Sequence, residues 1–188
     1  NKSSSHPRFS PDGQYLAFVS KRSDKPQIWM MRSNGGEAWQ FSHEKEGVGS
    51  FKWSSKGDAI AFLMKDSKSE EEEKNEKEKK DVIMVDQNFK YSHLYIKKFN
   101  TNIDTSKAER ITEGQYDVTS FDWHPNQKKI VFSHANEPTF NSRYISGDIS
   151  VVNISTKTVK DLVDSDGRDS SPIFSADGKR IAFISDGQ

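Results

Sequence analysis

The chain has 188 residues, with 28 lysines and arginines balanced by 28 aspartates and glutamates, so no net field draws it to nucleic acid or an anionic membrane surface. Only 32% of the residues are hydrophobic, but 11% are aromatic, enough large side chains to fill a core and to exclude disorder of the whole chain. Cysteine is absent, which excludes disulfides, thiolate zinc sites and cysteine nucleophiles, and no apolar run approaches the length of a membrane span.

Taken in order, the chain repeats one string four times. Phe9-Ser-Pro-Asp-Gly13 leads into Leu16-Ala-Phe18; Trp53-Ser-Ser-Lys-Gly57 into Ile60-Ala-Phe62; Trp123-His-Pro-Asn-Gln127 into Ile130-Val-Phe132; and Phe174-Ser-Ala-Asp-Gly178 into Ile181-Ala-Phe183. An aromatic is followed four residues later by the turn position and nine later by Phe, so the chain is read first as a repeat architecture. Each copy predicts a short strand ending at the aromatic (His6 to Phe9, Ser50 to Trp53, Thr119 to Trp123, Ser171 to Phe174). A hairpin turn follows, with Gly accepting positive φ. Where Asn126-Gln127 replaces Asp-Gly, Asn126 is expected to take the left-handed position.

The second strand, as in Leu16-Ala17-Phe18-Val19 and Ile181-Ala182-Phe183-Ile184, is apolar on both faces, the pattern of a strand covered by sheets on either side. Third strands are expected at Gln27 to Met30, His93 to Ile96 and Asp148 to Val152, and fourth strands at Ala38 to Phe41, Glu109 to Thr112 and Val159 to Leu162. Each unit is a four-stranded meander. The expected fold is therefore all-β, a β-propeller of antiparallel blades at roughly 6–46, 47–116, 117–168 and an incomplete 169–188. About three and a half blades of a larger propeller would be present, so the chain is read as beginning and ending within a longer protein.

The anchor aromatics are spaced 44, 70 and 51 residues apart, which puts an insertion in the second unit after Met64, including the charged stretch 66–81, and a smaller one between His134 and Gly147 in the third. Both fall in the connection from second to third strand. Such connections, and the links between blades, emerge on one face of the disc, which makes that face the expected working one.

The string aromatic-Ser-Pro-Asp-Gly-x-x-Leu-Ala-Phe resembles the repeats of TolB-like propellers and equally those of the prolyl oligopeptidase family of serine peptidases. The charged insertion leading into Asp81-Val-Ile-Met-Val-Asp86-Gln-Asn-Phe-Lys-Tyr91-Ser-His-Leu-Tyr95 is similar to the extra strand and basic-aromatic segment of the acylaminoacyl-peptidase and dipeptidyl-peptidase-like branch. The loop Ala135 to Ile149 is similar to that branch's linker before a third strand. The peptidase resemblance implies a propeller that restricts access to an α/β-hydrolase domain of the same polypeptide and helps orient a short peptide. That catalytic domain is not in this chain, which has no Gly-x-Ser-x-Gly elbow, so no catalytic residue is assigned. The alternatives are a TolB-like propeller acting as a protein–protein interaction module and, with less support, a sugar- or small-ligand-binding propeller. A cytoplasmic location is favoured, with a periplasmic one open. An uncovered flank of strand leaves a homo-oligomer open as a partner.

The candidate substrate contacts are Glu137, Phe140, Asn141, Arg143 and Tyr144, a loop on the elaborated face in which Arg143 could pair with a peptide carboxylate and Glu137 with a free amino terminus. The structural anchors are Phe9, Gly13, Phe18, Trp53, Gly57, Phe62, Trp123, Phe132, Phe174, Gly178 and Phe183. No metal or cofactor is expected. The five histidines lack metal-ligand spacing and are read as surface or turn residues, and Asp164-Ser-Asp-Gly-Arg168-Asp169 as a polar link rather than a calcium loop, because Arg168 stands where an oxygen ligand is needed. Glu70 to Lys80 has no apolar stripe and is expected to be a solvated loop, with a gate or contact arm as the functional alternative. The phased Trp29, Trp39, Trp53 and Trp123 are expected between blades, and the sequon Asn153-Ile-Ser155 is discounted because it begins in a strand.

Overall fold

A computed structural model describes residues 3–78, 89–100 and 107–186. Blade 1 is the meander β1 (Ser4–Phe9), β2 (Tyr15–Ser20), β3 (Gln27–Arg32) and β4 (Trp39–Gln40). Blade 2 comprises β5 (Phe51–Trp53), β6 (Ala59–Lys65), β7 (Ser92–Lys98) and β8 (Glu109–Arg110), with helix α1 (Glu70–Lys77) between its second and third strands. Blade 3 comprises β9 (Asp117–Trp123), β10 (Lys129–Ala135), β11 (Asp148–Asn153) and β12 (Val159–Val163), with helix α2 (Phe140–Ile145) in the matching connection. A last hairpin pairs β13 (Asp169–Phe174) with β14 (Ile181–Ser185). Strands neighbour one another in chain order and antiparallel within every sheet. This is the propeller arrangement that the repeats predict.

The doubly apolar second strands have a direct physical cause. Along β6, Ile60 and Phe62 point into the core shared with blade 1, beside Ala17, Val19 and Met30. Their neighbours Ala61 and Leu63 point into the core shared with blade 3, beside Phe121, Trp123 and Phe132. A period of two thus feeds two seams, and every residue must be apolar. Ala61 is fully buried, and its small side chain leaves room for the bulky residues of the following blade.

Polar contacts repeat at the seams with the same phase. The Trp53 indole donates to the Arg8 carbonyl at 3.3 Å, and the Trp123 indole to the Lys52 carbonyl at 3.2 Å. Asp122 accepts from Lys52 Nζ at 2.9 Å on one oxygen and from the Phe174 amide at 3.0 Å on the other, so one side chain spans three blades. The turns also touch: His124 Nε2 donates to the Gly178 carbonyl at 3.2 Å while Nδ1 accepts the Asn126 amide at 3.0 Å, which fixes the tautomer. Gly178 has φ +70, and a Cβ there would lie 2.5 Å from the His124 ring.

Two expectations are corrected. The left-handed residue of the third turn is Gln127 (φ 60), not Asn126, whose side chain instead accepts the Lys128 amide, as Asp12 and Asp177 accept Gln14 and Lys179. Asn126 therefore fills the Asp position, and Gln127 the Gly position, of the repeat. The charged run is helical over Glu70–Lys77 rather than a loop. Ser69 caps it, with Glu72 returning to the Ser69 amide, and Glu72 and Glu73 pair with Lys90 and Lys45. The strand expected around Asp81 to Asp86 lies outside the described residues.

Candidate functional site

The β6–β7 and β10–β11 connections and the blade-to-blade links open on one face. Between them lies a cleft of about 530 Å³, floored by Leu63, Met64 and Val118 and walled by Arg143, Tyr144 and Arg168. The loop expected at 137–144 contains α2. Thr139 caps this helix by accepting the Ser142 amide at 3.1 Å, and Ser146 closes it. No residue of α2 is buried, so its position comes from polar anchoring rather than from a packed stripe.

That anchor is Asp117, the first residue of β9 and fully buried. One carboxylate oxygen accepts the Ser92 amide at 2.8 Å; the other accepts Arg143 Nε at 2.8 Å and Nη2 at 2.6 Å. Blade 2, blade 3 and α2 meet at this side chain. Of the candidate contacts, Arg143 and Tyr144 line the cleft, whereas Glu137, Phe140 and Asn141 are exposed, with the Phe140 ring tilted against that of Tyr144 at a centroid distance of 4.4 Å. Tyr144 in turn lies under the Arg168 guanidinium, 5.5 Å from the ring centre.

Sequence reading missed Asp117, Arg168 and Asp169. Asp169 opens β13 as Asp117 opens β9 and is equally buried. Its Oδ2 accepts the Ser165 hydroxyl at 2.7 Å, while its Oδ1 is buried without a partner among the described residues. The available signal was an Asp five or six residues before the anchor aromatic in two of the four copies.

Of the histidines read as surface or turn residues, His93 is a core residue and His134 is half-buried. His93 is fully buried in β7, with Nδ1 3.2 Å from Thr112 Oγ1 and Nε2 3.7 Å from Asp66, which binds Arg110 at 3.0 Å. Burial, assisted by the Arg110 charge and opposed by Asp66 and Asp117, pushes its pKa down to about 4. His134 sits across Tyr116 from it, and burial lowers its pKa too. His134 Nε2 lies 2.8 Å from Ser150 Oγ, which donates to Asp161 at 2.7 Å. These are the residue types of a catalytic triad in the wrong order: the hydroxyl proton goes to the carboxylate, so His134 donates to Ser150 and cannot act as its base. Ser150 is also fully buried. Among the described residues no cluster could hold a metal ion, and no helix is long and apolar enough to cross a membrane.

Residues 7–88 match the family of the anaphase-promoting complex subunit 4 WD40 domain. The uncharacterized peptidase YuxL of Bacillus subtilis is 28% identical over 144 residues, covering 70% of this chain and 22% of that protein. A prolyl endopeptidase structure superposes with a TM-score of 0.68 at 15% identity, over 98% of this chain and 25% of that one. TolB from Acinetobacter baumannii gives 0.64 at 17% identity, over 100% and 39%. The chain is a β-propeller segment of the kind carried by peptidases and TolB-like proteins. It spans about a fifth of the peptidase with which it aligns.

Proposed function

We propose that this chain is the non-catalytic propeller part of a serine peptidase. It would restrict access to an α/β-hydrolase domain of the same polypeptide and help orient a short peptide on the elaborated face. The observation that carries the reading is the cleft beside α2, where a mixed apolar and cationic wall is built from the blade 3 insertion, the adjoining ends of β6 and β7, and the inter-blade links. The 28% identity with a peptidase over 144 residues supports it.

Assay of the full-length protein tests it. Peptide hydrolysis is expected from that protein and none from residues 1–188 alone, and Tyr144→Ala should raise KM about tenfold with kcat little changed, as for a group that binds ground state and transition state alike. Tyr144 is a better probe than Arg143, because losing Arg143 would strand buried Asp117. A full-length protein without peptidase activity would overturn the reading. One observation favours a TolB-like interaction module instead: Phe140, Tyr144 and Ile145 are 73%, 60% and 70% exposed on the same face. That module would capture a protein partner through α2 and hydrolyse nothing.

A further inference from the structure

Resting on that reading, we infer that the cleft beside α2 recognises a carboxylate of the peptide, and that Arg168 is the residue that contacts it. The cleft wall carries three cationic side chains, Lys65, Arg143 and Arg168, against one carboxylate, Glu46. Arg143 is already neutralised by Asp117, and both oxygens of Asp117 are occupied, so that carboxylate has nothing to offer a second cation. Arg168 differs. No carboxylate pairs with it among the described residues, and its guanidinium rests on the Tyr144 ring, which covers one face and leaves the N–H edges for an acceptor in the guanidinium plane.

Its backbone is held on both sides. Gly147 and Arg168 form a bridge, with the Asp169 amide donating to the Gly147 carbonyl at 2.7 Å, and the Asp186 amide donates to the Arg168 carbonyl at 2.9 Å. Gly147 allows this approach, since a Cβ there would lie 3.0 Å from the Asp169 carbonyl. A cation fixed in this way binds an anion with little ordering cost. Beside it, Val48, Leu63, Met64 and Val118 give an apolar lining for the side chain that accompanies the carboxylate.

The carboxylate could be a C-terminal α-carboxylate or an acidic side chain, and the test separates them. The full-length protein is assayed on one peptide in three forms: free acid, C-terminal amide, and amide with an internal Glu in place of Gln. A KM about tenfold lower for the free acid than the amide identifies the α-carboxylate; the same gain for the Glu peptide identifies the side chain. Arg168→Gln should erase the preference, Arg168→Lys should keep part of it, and Lys160→Gln, on exposed β12, should leave it intact. Equal KM for all three peptides, or a preference that survives Arg168→Gln, overturns the inference. If the protein cleaves no peptide, the peptidase reading fails. The same peptides, fluorescently labelled, then decide the carboxylate by anisotropy: tighter binding of an anionic form that Arg168→Gln abolishes supports the inference, and equal or absent binding overturns it.

Discussion

Lowering the pH from 7.5 to 5 should destabilise the chain through His93, and the size of the effect can be worked out. The ring is fully buried, its Nδ1 occupied by Thr112 and its Nε2 3.7 Å from the nearest carboxylate oxygen, too far for a hydrogen bond. Its folded pKa is about 4, against the ordinary imidazole value of 6.5 in the unfolded chain. The folded value is the lower, so the unfolded chain binds the extra proton. Stability from this group is complete above about pH 6.5 and is lost as pH falls toward 4. Integrating the two titrations gives a loss of about 2 kcal/mol by pH 5. The assay is urea unfolding followed by tryptophan fluorescence, comparing wild type with His93→Gln. Carboxylates and His134 titrate in both proteins, so the stability difference between the two isolates His93. That difference should move by about 2 kcal/mol against the wild type between pH 7.5 and 5. Two stability curves that stay parallel within about 0.5 kcal/mol would refute the buried, neutral histidine.

Three substitutions test the seams and the anchor by the same unfolding measurement. Gly178→Ala should cost about 2–4 kcal/mol, combining a left-handed backbone with a Cβ 2.5 Å from the His124 ring. Gly13→Ala, at φ +71 but in open space, should cost only about 1 kcal/mol. Asp122→Ala, which removes the acceptor of the Phe174 amide and of Lys52, should cost about 1–3 kcal/mol, whereas Lys52→Met, at a partly exposed pair, should cost less than about 1 kcal/mol. Arg143→Met should cost about 3–5 kcal/mol by leaving buried Asp117 unpaired, and adding Asp117→Asn should recover part of that loss.

The fold was legible because its rules are local and repeated. An aromatic, a turn and a Leu-Ala-Phe run at fixed offsets identify a hairpin, and an apolar run without alternation identifies a strand with a sheet on each face. The helices were not legible. Neither α1 nor α2 has an apolar stripe, so the periodicity that marks a packed helix is absent. Both are held by caps and ion pairs instead, from Ser69, Lys45 and Lys90 for α1 and from Thr139 and Asp117 for α2. Asp117 pairs with a residue 26 positions away, and nothing in its neighbourhood marks it as buried. His93 hides for a different reason: a histidine among His93-Leu94-Tyr95-Ile96 is as compatible with an edge as with a core, and only the blade 2–3 seam decides.

The Asp117 anchor bears on how this face could control access. An insertion held only by exposed side chains would open at little cost, and a moving lid would be the natural device. Here α2 is tied through Arg143 to a carboxylate that itself joins two blades, so lifting the helix would strand a charge in the core. The cleft wall formed by Arg143 and Tyr144 therefore behaves as part of the disc. Under the proposed peptidase reading, selection at this site would come from the shape and charge of a fixed wall, with Arg168 and Tyr144 as the proposed recognition groups, rather than from closure of α2 over a substrate. By contrast α1 is held by Glu72–Lys90 and Glu73–Lys45, pairs at partly exposed side chains that salt screens. If either insertion moves, it is α1: raising salt from 0.05 to 1 M should speed amide exchange across Glu70–Lys77 while leaving Phe140–Ile145 unchanged. Equal responses in the two helices would contradict the distinction between a buried and a solvated anchor.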